Sequence, residues 1–190
     1  MRLTHLTDLS GTRWLAQSDT PAEQLITLGP NGFPAYARLR YLPDPDRADQ
    51  LETEANIAAD HPNWGALAAQ ALQILQPHTN TADDCYFCYW EGMPGRHLSD
   101  RERAGPMLEL PHRRYVVLRG SLRDHPDPRA GSAPPPAFVW PADRRWCFTS
   151  DVDPHWAGIG ANPAAIAALL ADPDIDVVPA RPGEQIPRYW

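Results

Sequence analysis

Ala137-Phe-Val-Trp-Pro-Ala-Asp-Arg-Arg-Trp-Cys-Phe-Thr-Ser-Asp-Val152 decides how this chain is read. Ala137 to Trp140 and Arg145 to Val152 carry aromatic and β-branched residues on either side of Pro141-Ala142-Asp143. Aromatic and β-branched runs around a short turn read as a strand pair. Upstream, Asp84 to Glu91 (DCYFCYWE) is an aromatic buried strand, and Arg114 to Leu122 (RYVVLRGSL) is another. Four strands in succession without intervening helices do not build a doubly wound parallel sheet, which needs helical crossovers. The expected class is therefore α+β, a mainly antiparallel sheet with helices packed on it.

Phe33 to Leu42 is an earlier strand. Its period of two puts Ala37, Leu39 and Tyr41 on one face and Arg38 and Arg40 on the other. The first face is core; the second is solvent or a pocket. Thr20-Pro21-Ala22-Glu23 opens a short helix to about Leu28 with a capping-box pattern. Asp49 to Ala59 is weakly helical. Asn63 to Gln76 is the strongest helix, with Trp64, Leu67, Ala68, Ala71, Leu72 and Leu75 in one stripe and Asn63 as its cap. Asn162-Pro163 starts a last helix, Ala164 to Ala171, and Ile175 to Val178 is a final strand. The charged stretch Gly92 to Pro106 and the proline-rich stretch Asp124 to Pro136 are loops, the second a surface loop. The tail Arg181 to Trp190 is irregular and pinned by Tyr189-Trp190. A single domain over residues 1–190 is expected from the length.

All 17 basic residues are Arg, and with no Lys the chain has neither a Schiff-base nor a P-loop lysine. The formal net charge is −7, which opposes sequence-independent binding of nucleic acid. The first residues have no apolar core of a signal peptide, and no window is apolar enough to span a membrane. Three cysteines without a secreted disulfide pattern fit a reducing compartment, so the expected location is cytoplasmic. No cofactor is implied.

Several groups carry potential chemistry. Cys85 and Cys88 form a C-x-x-C, but i and i+3 on a strand face opposite ways, so buried structural cysteines compete with a redox or metal role. Asp151, Asp153 and His155 alternate at i, i+2, i+4 and would share a face if extended, as turn formers, a binding site or metal ligands. Pro154, Gly158 and Gly160 suggest that the strand breaks there, and Gly158-Ile159-Gly160 before Asn162 reads as a tight turn into a helix or an anion site. Arg144 either pairs with Asp143 on the surface or recognises an acidic group. With Trp156, Arg38 and Arg40 these residues form the candidate binding set. Seven Trp beside many Arg suit either core packing or an interface. His97, Ser99 and Asp100 lie close in sequence, but no catalytic signature appears.

Phe33-Pro-Ala-Tyr-Ala-Arg-Leu39, His78-Thr-Asn-Thr81 through Cys85-Tyr-Phe-Cys-Tyr-Trp-Glu-Gly92, Trp140-Pro-Ala-Asp-Arg-Arg-Trp146 and Thr149-Ser-Asp-Val-Asp-Pro-His-Trp-Ala-Gly-Ile-Gly160 recur in an order and spacing that resemble a group of uncharacterised actinobacterial proteins. The resemblance covers about residues 30 to 180, implies a cytosolic setting and carries over no functional residues. The expected function is a non-catalytic binding protein that holds a protein partner, in the manner of immunity or adaptor proteins. The alternative is a small-molecule-binding protein or enzyme with its site near Asp151–His155.

Overall fold

The computed structural model describes residues 3–93, 98–124 and 134–190. Its strands are β1 (Thr4–His5), β2 (Ala35–Arg40), β3 (Cys85–Trp90), β4 (Leu108–Leu110), β5 (Arg113–Gly120), β6 (Phe138–Pro141), β7 (Trp146–Thr149), β8 (Trp156–Ala161) and β9 (Val177–Ala180). Its helices are α1 (Arg13–Ala16), α2 (Ala22–Thr27), α3 (Trp64–Leu75), α4 (Asp100–Ala104) and α5 (Pro163–Ala171). The strands form one nine-stranded sheet in the order β1-β5-β3-β6-β7-β8-β2-β9, with β4 on β5. Every pairing is antiparallel. The fold is the α+β class that the run of late strands implies.

The alternation of each strand sorts its side chains onto two covered faces. On one face Ala37, Leu39, Cys85, Phe87, Val139, Trp146, Phe148, Ala157 and Ile159 pack under α3 and α5. On the other, Tyr86, Cys88, Tyr115, Val117, Phe138, Trp140 and Cys147 pack under Leu15 of α1 and Leu25 of α2. Burial of both faces explains why β3 reads as a continuous apolar run rather than an alternating one. Helix starts are fixed by side-chain caps: Asn63 accepts from the Ala66 amide and Asn162 from the Ala165 amide, each at 2.9 Å.

Several expectations change. The stretch Trp156–Ala161 is a full strand, not a turn into a helix. Gly158 lies opposite Arg38, and the end of α2 rests on it. A Cβ on Gly158 would sit 2.6 Å from the carbonyl oxygens of both Thr27 and Leu28. A Cβ on Gly160 would meet the Phe33 ring. The two glycines are a notch in the sheet for the segment that crosses it. Asp49 to Ala59 is not a helix; it holds one 3-10 turn, Glu52–Glu54. The 92–106 stretch contains α4, capped reciprocally by Ser99 and Glu102. Of the proline-rich 124–136 segment, residues 125–133 lie outside the described residues, as does His97.

Substituting Gly158→Ala is expected to destabilise the protein by about 1–3 kcal/mol, the usual range for forcing an added methyl into a packed site. Urea denaturation measures it. A change within about 0.5 kcal/mol would mean that α2 does not rest on this strand as described.

Candidate functional site

Arg38 and Arg40 leave β2 on the same face, and both reach Asp44, a few residues further along the chain. Arg38 grips it through two nitrogens, Nη1 to Oδ1 at 2.7 Å and Nη2 to Oδ2 at 3.0 Å. Arg40 Nη1 donates to Oδ2 at 3.1 Å, and its Nη2 turns to Asp176 at 2.8 Å. His155 approaches from the start of β8, with Nε2 3.2 Å from Asp44 Oδ1. Arg38 also lies over the Trp156 ring at 5.5 Å, and Tyr189 stands edge-on to His155 at 4.8 Å.

Burial raises the Asp44 carboxyl, but the Arg38 guanidinium, the His155 contact and Arg40 outweigh it and hold it well below the usual carboxylate range. His155 is 1% exposed. Its burial, assisted by the nearby Arg38 charge, lowers its pKa against the opposing pull of Asp44. At neutral pH His155 is therefore an uncharged donor to Asp44, and the two arginines balance the carboxylate.

Asp151 and Asp153 belong to a separate group. Both reach Arg113, Asp151 as an ion pair at 3.0 Å and Asp153 through a 3.1 Å hydrogen bond. Arg113 is stacked on Trp90 at 4.6 Å. Asp153 is exposed, whereas the Asp151 side chain is 4% exposed, accepts from the Val152 amide at 2.8 Å, and has an Oδ2 atom without a hydrogen-bond partner among the described residues. Burial pushes the Asp151 carboxyl up. The structure thus joins Asp151 to Asp153 but sends His155 elsewhere, because residues 151–155 bend rather than run extended.

Arg144 sits apart from both groups. It occupies a left-handed position in the β6–β7 turn, φ +53°, and covers the Trp14 ring at 5.4 Å. Asp143 pairs with Arg145 instead and also accepts from Thr79 and the Asn80 amide. The three cysteines are buried and free. Cys85 and Cys88 point to opposite faces, and burial pushes the Cys85 and Cys147 thiols up to about 12 and Cys88 well above its ordinary value. None is a thiolate at neutral pH. Among the described residues no group of three His, Cys, Asp or Glu side chains is placed to hold a metal ion.

The sequence did not point to the element that the Asp44 group supports. Residues 41–63 connect β2 to α3 with only the short 3-10 turn Glu52–Glu54 between them, and long connections with little secondary structure of their own are uncommon and often functional. The neck of this one is closed: Tyr41 stacks on Trp64 at 4.7 Å, and His61 Nε2 lies 2.7 Å from the Tyr41 carbonyl. Inside it, Gln50 is buried and accepts from the Asp46 amide at 2.8 Å. Glu54 accepts from the Leu51 amide at 2.9 Å. The tail is fastened to it, with Tyr189 donating to the Pro43 carbonyl and the Trp190 amide to that of Gln50.

This loop is held in shape yet turned outward. Residues 46–49, 51–54 and 56–60 are exposed, including Asp46, Asp49, Glu52, Glu54 and Asp60 against a single cation, Arg47. Leu51 and Ile57 are among the large apolar side chains left exposed. At its base a cavity of about 450 Å³ is lined by Leu42, Ile57, His61, Pro62, Trp64 and Pro134, among others. A stretch dense in carboxylates, interrupted by Leu51 and Ile57, was the available signal; its weak helical pattern obscured it.

Compared with known proteins, the chain matches no family model, no curated protein and no solved structure.

Removing Asp44 leaves two arginines uncompensated, so Asp44→Ala is expected to cost about 3 kcal/mol in chemical denaturation, the scale for breaking a partly buried ion pair. His155 binds a proton more readily in the unfolded chain. Its contribution is complete above about pH 6.5 and is lost as pH falls toward its lower folded value. Wild-type stability should therefore decline between about pH 7 and 5, and His155→Gln should make that decline shallower. Equal slopes in the two proteins would contradict the assigned environment.

Proposed function

We propose that this chain is a non-catalytic protein-binding module and that the 41–63 loop is its binding surface. One observation carries the reading: an exposed, irregular segment is anchored by a partly buried ionic group, a closed neck and the C-terminal tail. Loops positioned by a rigid scaffold are a common place for binding residues. The other candidate surface, a face of Trp and Arg, has less support. Trp140, Trp146 and Trp156 are fully buried, and Trp14 and Trp90 are each covered by an arginine. The three cysteines are buried and do not serve as nucleophiles in this reading.

Affinity capture with the tagged protein from a lysate of its source tests the reading. A single stoichiometric protein partner is expected, and it should be lost when residues 46–60 are replaced by a Gly-Ser linker. A partner retained by that variant would move the site off the loop, and the absence of any partner would remove the reading.

A second reading, a small-molecule site at Asp151, draws support from the unpartnered Oδ2, since a buried acceptor without a partner is costly. In a thermal-shift screen, a ligand bearing a hydrogen-bond donor should then stabilise the wild type but not Asp151→Asn. A ligand that stabilises both proteins equally would contradict it.

A further inference from the structure

We infer that the partner is a basic protein segment, which docks an apolar side chain into the cavity at the base of the 41–63 loop while its Arg and Lys face the loop's carboxylates. The inference rests on the protein-binding reading and adds the chemistry of the partner.

Two features of the loop select this occupant. The first is shape and polarity. Leu42, Ile57, Pro62, Trp64, Pro134 and Pro135 make the cavity mainly apolar, and its volume of about 450 Å³ lies in the range that holds a large side chain or a small ligand. Ile57 stands 45% exposed beside it, ready to be covered. The second is charge. Asp60 immediately precedes the cavity-lining His61-Pro62-Asn63, and Asp46, Asp49 and Glu52 stand exposed on the same loop. Asp44 is balanced by Arg38 and Arg40, and Glu54 pairs with Arg47 at 2.8 Å. No ion pair to Asp46, Asp49, Glu52 or Asp60 occurs among the described residues. Besides burial, the nearby Asp46, Asp44 and Glu52 charges push the Tyr189 hydroxyl above its ordinary value.

Charge complementarity then disfavours the alternative occupants. Nucleic acid and anionic membrane surfaces are repelled by exposed carboxylates. A second copy of this chain, at a net charge of −7, would bring like charges together. A cationic segment is attracted, its association is steered by the field, and its apolar residue supplies the contact that slows release.

Panning a library of short random peptides against the intact protein at low salt tests this directly. The enriched peptides should carry Arg or Lys around an aliphatic or aromatic residue. Their affinity should drop about ten-fold or more for the triple variant Asp46→Lys, Glu52→Lys, Asp60→Lys, and should weaken as salt rises. Ile57→Ser should reduce affinity to a similar degree without changing the salt dependence, because it empties the contact and leaves the charges. All four positions are exposed, so both variants should keep the wild-type melting temperature; if the triple variant does not, Ile57→Ser alone decides. Enrichment of neutral or acidic peptides, no enrichment, or affinities indifferent to the variants would overturn the inference. A natural partner that is captured through the loop but binds with an acidic surface would overturn it too, while leaving the protein-binding reading in place.

Discussion

Everything distinctive in this structure depends on keeping the Asp44 carboxylate charged. A carboxylate partly withdrawn from water keeps its charge when it is paired and hydrogen-bonded. Asp44 meets that condition with donors from two sheet strands, Arg38 and Arg40 of β2 and His155 at the edge of β8. The consequence is geometric. The chain leaving β2 is fixed at the point where it departs from the sheet. His155 also accepts, through its backbone carbonyl, from the Tyr41 and Leu42 amides. The root of the 41–63 loop is thus tied by side chains and by main chain to the same two strands.

The sheet supplies the rigidity behind that tie. With both faces covered, β2 and β8 cannot shift without disturbing α2 on one side and α5 on the other. Gly158 links the two, because the close approach of α2 and the placement of Arg38 meet at the same register position. Burying Arg38 beside Trp156 reduces its freedom and strengthens its hold on Asp44. The acidic residues further along the loop experience none of this. They remain in water, where charge acts at a distance and depends on salt. The molecule therefore uses one kind of residue in two ways: a carboxylate in a partly buried network sets position, and the exposed loop carboxylates Asp46, Asp49, Glu52 and Asp60, unpaired among the described residues, set the field.

Much of the fold was legible because local patterns and tertiary demands agreed. Ala37, Leu39 and Tyr41 opposite Arg38 and Arg40 alternated in the sequence and do so in the structure. The strand pair around Pro141-Ala142-Asp143 and the Asn63-capped helix likewise followed from local chemistry. β8 was hidden because Gly158 and Gly160 lower strand propensity, and the reason they are glycine lies in α2, far away in the chain. For the candidate site, the sequence singled out Arg38, Arg40, His155 and Trp156 without the residue that unites them. Asp44 sits in a Pro-Asp-Pro-Asp turn, where an aspartate ordinarily serves the backbone. Its link to His155 is a long-range contact that no spacing rule reveals. Asp151 and Asp153 meet on an arginine that was not singled out, Arg113, through a bend rather than through the extended alternation expected of them, and His155 is not with them.

The central claim is that the Asp44 network holds the 41–63 loop in shape. Hydrogen exchange, followed amide by amide in the wild type and in Asp44→Asn, tests it most directly. The account predicts that the hydrogen-bonded amides of Asp46, Leu51 and Glu54 are protected in the wild type and lose that protection in the variant, while amides in β3 and β5 stay strongly protected, less than in the wild type only by the loss of global stability. Loop amides that exchange equally fast in both proteins, or a variant whose β3 and β5 amides lose protection as completely as those of the loop, would contradict it.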